Sequence, residues 1–272
     1  MSAVVPMPPL FVSHGAPDLI LHDNPTRDFL AAVAATLPRP TAIVSVSAHF
    51  ASLRPAVVVD AAPAMIYDFG GFDPALREMV YPAPGEPALA RRIGEALVAA
   101  GHDTLLVEGR GYDHGTWVPL KLMYPAADVP VVQLSVQPRR DAAHHFAIGR
   151  ALAPLVGEGV LILGSGSLTH NLHEASAGGR GPRSRRVPPP AWVTEFAEWI
   201  AEKVAANDVE ALLDYRARAP HAVRNHPTDE HLLPLFVALG AGGDGMRIHE
   251  AYDFAVLAMD AYRFEVGREN LT

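Results

Sequence analysis

The sequence predicts an α/β fold, with a central, largely parallel or mixed sheet flanked by helices. Short apolar runs rich in β-branched residues alternate along the chain with longer stretches of helical periodicity. The runs lack the polar alternation of a half-exposed strand, which is typical of strands covered on both faces. Hydrophobic residues make up 49% of the 272 residues, which is enough for a substantial core.

Six segments are predicted to be buried strands. They are residues 9–13, 42–48, 56–59, 105–108, 131–136 and 160–163. In an open α/β sheet, ligands bind in the crevice outside the carboxyl ends of the strands. Residues that follow these segments are therefore the first candidates for a functional site.

Four helices are predicted between and after the strands. The first begins where Asn24, a capping residue, precedes Pro25, and it ends before Pro38. The second ends at Gly101, a common helix stop. Their predicted ranges are 24–37, 86–100, 141–156 and 191–206.

No segment of the chain has the composition of a linker between two domains. The strongest candidate, residues 177–190, is rich in Gly, Arg and Pro, but recognisable structure resumes on both sides of it. We therefore interpret it as a surface loop or an active-site lid. Its basic run, Arg180 to Arg186, has no interleaved aromatic residue and is interpreted as solvated. The whole chain, 1–272, is predicted to be one catalytic domain.

Charge and cysteine content exclude several classes of function. The formal net charge of -8 argues against nucleic acid and anionic membranes as partners, because both require clustered cations. No apolar run approaches the roughly 20 residues that cross a bilayer. The chain has no cysteine, which excludes disulfides, iron–sulfur clusters and thiolate zinc sites, and no export signal is visible. We expect a cytoplasmic protein in which His, Asp and Glu hold any metal.

Three histidines fall where predicted strands end. His14, His49 and His170 each follow or nearly follow a strand and lie beside Gly or Ser. Three such imidazoles at one sheet edge suit iron, zinc, copper or nickel. Two more candidates are His114, in a Gly-rich turn, and His226, just before a helix expected to begin near Thr228. The spacing is less specific than His-Glu-x-x-His, so a structural role for each histidine stays open.

Five segments, in the same order and spread over nearly the whole chain, carry a family resemblance. Together they resemble the 4,5-DOPA dioxygenase subfamily of class III extradiol ring-cleavage dioxygenases, relatives of the protocatechuate 4,5-dioxygenase catalytic subunit. The segments are residues 11–17, 46–50, 112–117, 164–171 and 226–231.

The resemblance implies a role for each histidine. His14 and His49 are implied metal ligands, His170 the acid/base residue, and His114 a second histidine that contacts substrate or oxygen. The third ligand is His226 if the DOPA-type pattern holds, or Glu230 if a carboxylate takes its place.

The implied reaction opens the ring of a catechol, L-DOPA or a simpler aromatic, with dioxygen. Non-haem ferrous iron is the implied catalytic metal. Zinc binds the same ligand types and is expected to recruit His170 as a fourth ligand when it occupies the site.

Two other functions are compatible with the same histidines. A zinc hydrolase would use a metal-bound water as nucleophile and would consume no oxygen. A binding protein of this fold without chemistry is the second alternative. A serine hydrolase is disfavoured, because the segment 164–167 lacks the Gly-x-Ser-x-Gly spacing.

Overall fold

A computed structural model describes residues 5–177 and 187–266, apart from the side chains of residues 176 and 177. The described residues form ten strands. They are β1 (Leu10–Ser13), β2 (Ala42–Ala51), β3 (Ala56–Val58), β4 (Leu105–Val107), β5 (Val131–Val136), β6 (Val160–Gly166), β7 (Gly245–His249), β8 (Tyr252–Asp253), β9 (Leu257–Ala258) and β10 (Ala261–Phe264).

Eight of these strands form one mixed sheet in the order β4-β3-β5-β2-β6-β1-β10-β7. The central strands β5, β2, β6 and β1 are parallel, whereas β10 and β7 add an antiparallel edge. The predicted α/β fold with a mixed sheet is confirmed. Ser13 pairs with Gly166 and Ser47 pairs with Ser165, so β1, β2 and β6 end at the same edge of the sheet.

Helices connect and cover the strands. Over the described residues they are α1 (Pro25–Val33), α2 (Pro87–Ala99), α3 (His114–Met123), α4 (Ala142–Gly157), α5 (Leu172–Ala177), α6 (Ala191–Ala205), α7 (Val209–Leu213), α8 (Tyr215–Arg218), α9 (Ala222–Asn225) and α10 (Leu233–Ala241). The predicted first helix ends early: α1 stops at Val33, and a 3-10 turn, Ala34–Thr36, follows it.

The most extensive helix packing joins α10 to α4 and β6. All nine residues of α10 are buried, which explains why its sequence shows no polar face. Gly149 of α4 and Gly240 of α10 allow the close approach, because a Cβ on either would overlap a backbone carbonyl oxygen of the other helix. The helix α10 is thus fixed directly behind β6, one of the strands that lead to the candidate site.

Three regions differ from the expectations or lie beyond them. The helix expected near Thr228 begins at Leu233, and residues 227–232 form bends and turns instead. The C-terminal strands β7 to β10 have no counterpart among the predicted strands. Residues 178–186, which include the basic run Arg180 to Arg186, lie outside the described residues. Among the helices that are described, none is long and apolar enough to cross a membrane.

Candidate active site

Five imidazoles line one cavity of about 520 Å³ at the edge where the central parallel strands end. This volume lies within the usual range for small-molecule sites. The histidines, which we call the cavity histidines, are His14, His49, His114, His170 and His231. Four of these five were singled out in the sequence as candidate site residues.

His14 follows β1 and has a defined tautomer. Its Nδ1 lies 3.0 Å from Ser165 Oγ, and that hydroxyl donates its only proton to the backbone carbonyl of Gly115. Ser165 Oγ must therefore accept from His14 Nδ1–H. The other nitrogen, Nε2, is left with a lone pair that faces the cavity.

His49 lies inside β2, where the pairing with β5 is irregular between Ser47 and Ala51. Such a bulge changes the direction in which a side chain points. His49 Nε2 lies 3.1 Å from His14 Nε2, and its Nδ1 lies 3.7 Å from the carboxylate of Asp68. Because His14 Nε2 is a lone-pair nitrogen, this contact is a hydrogen bond that His49 Nε2–H donates, and the proton must move to Nδ1 before His49 Nε2 can bind a metal.

His114 is the first residue of α3, which Asp113 caps by accepting the Thr116 N–H. Its ring Nδ1 lies 2.9 Å from Asp68 Oδ1, which also accepts its backbone N–H at 3.0 Å. Gly115 lets the start of the helix approach the other imidazoles. A Cβ there would lie 2.5 Å from Ser47 Oγ and 3.0 Å from His49 Cδ2.

His231 and His170 complete the cluster from the opposite side. His231 Nδ1 lies 3.2 Å from Glu230 Oε1. The rings of His170 and His231 stack, with centroids 3.4 Å apart and planes 12° from parallel. The backbone N–H of His170 donates to the carbonyl of Asn225, which holds the loop after β6 against α9.

The structure does not bring His226 into this cluster. His226 is fully buried, lies 5.6 Å from Phe196 between ring centroids, and donates from Nε2 to the Leu168 carbonyl at 2.8 Å. A nitrogen that donates this hydrogen bond has no lone pair for a metal. His226 instead supports the loop that carries His170, and the histidine of the 226–231 segment that lines the cavity is His231.

Burial lowers the pKa of four cavity histidines, His14, His49, His170 and His231, and keeps them neutral. Desolvation, followed by the neighbouring histidines, holds the pKa of His14 and of His231 well below the ordinary value. Burial also lowers the pKa of His49 to about 4 and that of His170 to about 3. For Asp68, burial would raise the pKa, but hydrogen bonds and charge from His114 outweigh it and lower the pKa to about 2. Neutral imidazoles beside an ionised carboxylate are the state in which a histidine site binds metal.

Three groups of side chains could hold a metal ion, each with donor atoms within 4.8 Å of one another. They are His14, His49 and His231; His49, Asp68 and His114; and His170, Glu230 and His231. The first fits best, because each of its Nδ1 atoms faces a separate oxygen of Ser165, Asp68 or Glu230. Partners of this kind fix the orientation of imidazole ligands in metal sites.

Sequence reasoning missed two of the supporting groups and set aside one histidine. Asp68 lies in a loop after β3 with no pattern that marks it, and it reaches His114 because Ile66 and Tyr112 pair through their backbones. Ser165 lies in the segment 164–167, which the sequence marks only by its lack of the Gly-x-Ser-x-Gly spacing. His231 is not among the predicted ligands, although it belongs to the same short motif as His226.

Comparisons with known proteins agree with this site. Residues 9–265 match the family described as the catalytic LigB subunit of aromatic ring-opening dioxygenase. A 4,5-DOPA dioxygenase extradiol from Beta vulgaris is 41% identical over 93% of this chain and 95% of that protein. One from Escherichia coli K12 is 42% identical over 86% of this chain and 85% of that protein.

A solved structure supports the same assignment. The crystal structure of an uncharacterised protein from Escherichia coli K12 superimposes with a TM-score of 0.79 at 35% identity, covering 95% of this chain and 99% of that one. Together, the matched length and the identities to these relatives show that the chain belongs to the LigB family of aromatic ring-opening dioxygenases.

Proposed function

We propose that the protein opens the ring of a catechol in the extradiol manner with dioxygen, using a metal held by His14, His49 and His231. The observation that carries the ligand set is the shared arrangement of these three imidazoles. Each Nδ1 faces an oxygen acceptor, and one donor atom of each lies within 4.8 Å of the others. This choice replaces His226, whose Nε2 is engaged by the Leu168 carbonyl.

Ferrous iron is the metal we propose for catalysis. When bound, it would supply the electron-transfer chemistry that couples triplet dioxygen to a closed-shell catechol. Three protein ligands leave positions open for substrate, as in other non-haem iron oxygenases. Zinc suits the same imidazoles, and the stack of His170 on His231 puts a further imidazole within reach of a tetrahedral set.

His170 is the proposed acid/base residue. Its half-buried ring lines the cavity beside the proposed ligand His231. Burial lowers its pKa to about 3, so the ring is neutral and can accept a catechol proton. The negative charge of a catecholate would then favour the imidazolium that results. The same nitrogen can return the proton later in the reaction.

His114 is proposed to contact the substrate or dioxygen from the other wall. Asp68 accepts from Nδ1–H, which leaves Nε2 of His114 with a lone pair. This nitrogen can accept a hydrogen bond from a catechol hydroxyl. Of the two proposed contact residues, His114 lies beside the proposed ligand His49 and His170 beside His231.

L-DOPA is the substrate that the relatives' names suggest, and a simpler catechol is the second candidate. The relatives do not favour the hydrolase or the silent binding protein. A cytoplasmic location, predicted from the cysteine-free composition, is kept as a proposal.

Metal exchange tests the proposed function. The protein is stripped of metal, reloaded anaerobically with ferrous iron or zinc, and mixed with L-DOPA and a panel of smaller catechols. We expect oxygen uptake and a ring-opened absorbance product with iron only. Zinc-dependent ester or amide turnover without oxygen uptake would instead establish a hydrolase.

A further inference from the structure

Asp68 places its carboxylate oxygens 2.9 Å from a ring nitrogen of His114 and 3.7 Å from one of His49, two of the cavity histidines. It lies in the loop between β3 and the 3-10 helix Pro74–Arg77, and its side chain is 23% exposed. Its oxygens divide between the two rings. Oδ1 faces His114, and Oδ2 faces His49.

The Oδ1 contacts fix the proton of His114. Oδ1 accepts the backbone N–H of His114 at 3.0 Å and lies 2.9 Å from its ring Nδ1. Since an ionised carboxylate can only accept, Nδ1 must carry the proton and Nε2 must carry the lone pair. The backbone bond also holds the start of α3 against the loop, so the ring and the carboxylate keep their relative positions.

The Oδ2 contact acts on His49. Its Nδ1 lies 3.7 Å from Oδ2, which is longer than a hydrogen bond but close enough for charge to favour a proton on Nδ1. The other ring nitrogen of His49 is the one that lies 3.1 Å from His14 Nε2. One carboxylate thus favours the same tautomer in a proposed ligand and in a proposed substrate contact.

A neighbouring carboxylate shows what a purely structural role looks like. Asp113 is fully buried and uses its oxygens on Arg110, on Ser47 and on the N–H of Thr116. It pairs with a guanidinium and caps a helix. The ionic contacts of Asp68, in contrast, are with two imidazoles that line the cavity.

We propose that Asp68 is a positioning residue that keeps the ring proton of His114 on Nδ1 and, when a metal binds, favours the Nδ1–H form of His49, so that both Nε2 atoms then present lone pairs to the cavity. The consequence for turnover rests on the proposed function. The tautomers themselves do not, because they can be observed without substrate, in the metal-free protein for His114 and in the zinc-loaded protein for His49.

Two substitutions separate the two halves of this role. In Asp68→Asn, the amide oxygen can still accept both bonds from His114, whereas an N–H₂ group replaces Oδ2 and donates toward His49 Nδ1. In Asp68→Ala, both contacts are lost. Asp141 provides a matched control, because it accepts the backbone N–H of His144 at the start of α4 and does not line the cavity.

The test is the ring-nitrogen NMR spectrum of the metal-free and the zinc-loaded protein, with metal affinity measured alongside. We expect Asp68→Asn to keep the Nδ1–H form of His114 but to weaken metal binding, because its amide N–H₂ group opposes the Nδ1–H form that His49 needs as a ligand. Asp68→Ala should release the tautomer of His114 and also weaken metal binding. Loss of such an outer partner typically costs about 10- to 100-fold in metal affinity or activity, and we expect kcat to fall more than KM rises.

Several outcomes would overturn the proposal. One is a His114 tautomer that is unchanged in Asp68→Ala. Another is an equal change in Asp141→Ala, which would indicate a general effect of losing a capping carboxylate. If the tautomers shift as expected but the iron-loaded wild type consumes no oxygen, the positioning role stands and the proposed dioxygenase function fails.

Discussion

The molecule contains two groups of neighbouring histidines, and the fully buried member of the outer group, His145, uses its ring nitrogens differently from the proposed ligands. The outer group, His102, His144 and His145, has ring centroids 5.2 Å apart from one residue to the next. His145 donates from Nδ1 to the Asp141 carbonyl and accepts at Nε2 from the Gln137 N–H. Both of its nitrogens are therefore used by backbone.

In the cavity group, only one nitrogen of each proposed ligand is used by the fold. His14 Nδ1 is hydrogen-bonded to Ser165, and His231 Nδ1 is hydrogen-bonded to Glu230. The second ring nitrogen of each histidine is left for the cavity that both residues line. Proximity of imidazoles is common to both groups. What separates His145 from the proposed ligands is that its ring has no lone pair left over.

The largest effect is expected from removing a proposed ligand. His231→Ala should abolish metal binding and reduce ring opening to background, because two imidazoles hold the ion poorly. His144→Ala, in the outer group, should keep both properties. Metal content of the purified protein and oxygen uptake with L-DOPA measure the contrast.

A second variant decides between the two histidines of the same motif. His226→Gln retains a side-chain N–H that can donate to the Leu168 carbonyl, and we expect it to keep its metal. If the His226 variant loses metal while the His231 variant keeps it, the ligand expected from the sequence is right and the geometric assignment fails.

An intermediate effect is expected for His170. Because it is proposed to move protons and not to hold iron, His170→Ala should lower kcat by about 10²- to 10⁴-fold and leave the iron content unchanged. Single-turnover absorbance with the iron-loaded protein measures the rate. Loss of iron in this variant would make His170 a ligand instead of the acid/base residue.

The contrast between the groups also explains what the sequence could predict. His14, His49 and His170 were predictable because they lie near the ends of strands whose apolar, β-branched runs are visible in the sequence. Their convergence required only that β1, β2 and β6 be parallel, which the fold class implies. The order of the strands and the antiparallel edge formed by β10 and β7 had no local signal, because sheet edges are determined by long-range pairing.

The sequence could not show which of His226 and His231 faces the cavity, for a different reason. Both lie in a motif expected to start a helix, and the helix begins only at Leu233. The intervening turns rotate His231 toward the cavity and leave His226 against Leu168. The role of Asp68 could not be predicted from the sequence either, because its contact with His114 depends on a pairing between loops that are distant in the chain.

The smallest effect, per residue, is expected in the pH dependence of stability, where both groups contribute. In the metal-free protein, burial lowers the pKa of His49 and of His145 to about 4, from 6.5 for a free histidine. Between pH 6.5 and about 4, these histidines are protonated in the unfolded chain but not in the folded one. The free energy of unfolding therefore falls as the pH falls toward 4. Each such histidine contributes about 1.4 kcal/mol per pH unit within that window.

One buried carboxyl acts in the opposite direction. Burial raises the pKa of Asp260 to about 7, so its contribution to stability is lost as the pH rises from 3.8 toward 7. A single group of this kind is outweighed by the several histidines, and we expect the metal-free protein to be less stable at pH 5 than at neutral pH. Urea unfolding across this range measures the slope.

Metal separates the two histidine groups in the same experiment. The proposed ligands are already neutral in the metal-free protein above about pH 4, so saturating metal should raise the free energy of unfolding by a nearly constant amount between pH 6.5 and 4 and should steepen its loss only in stronger acid. His145→Gln should make the slope shallower by the same amount with or without metal, since it removes one proton-binding site from the outer group. A metal-free slope near zero between pH 6.5 and 4, or a His145→Gln effect that depends on metal, would show that the two groups do not differ in the way their hydrogen bonds indicate.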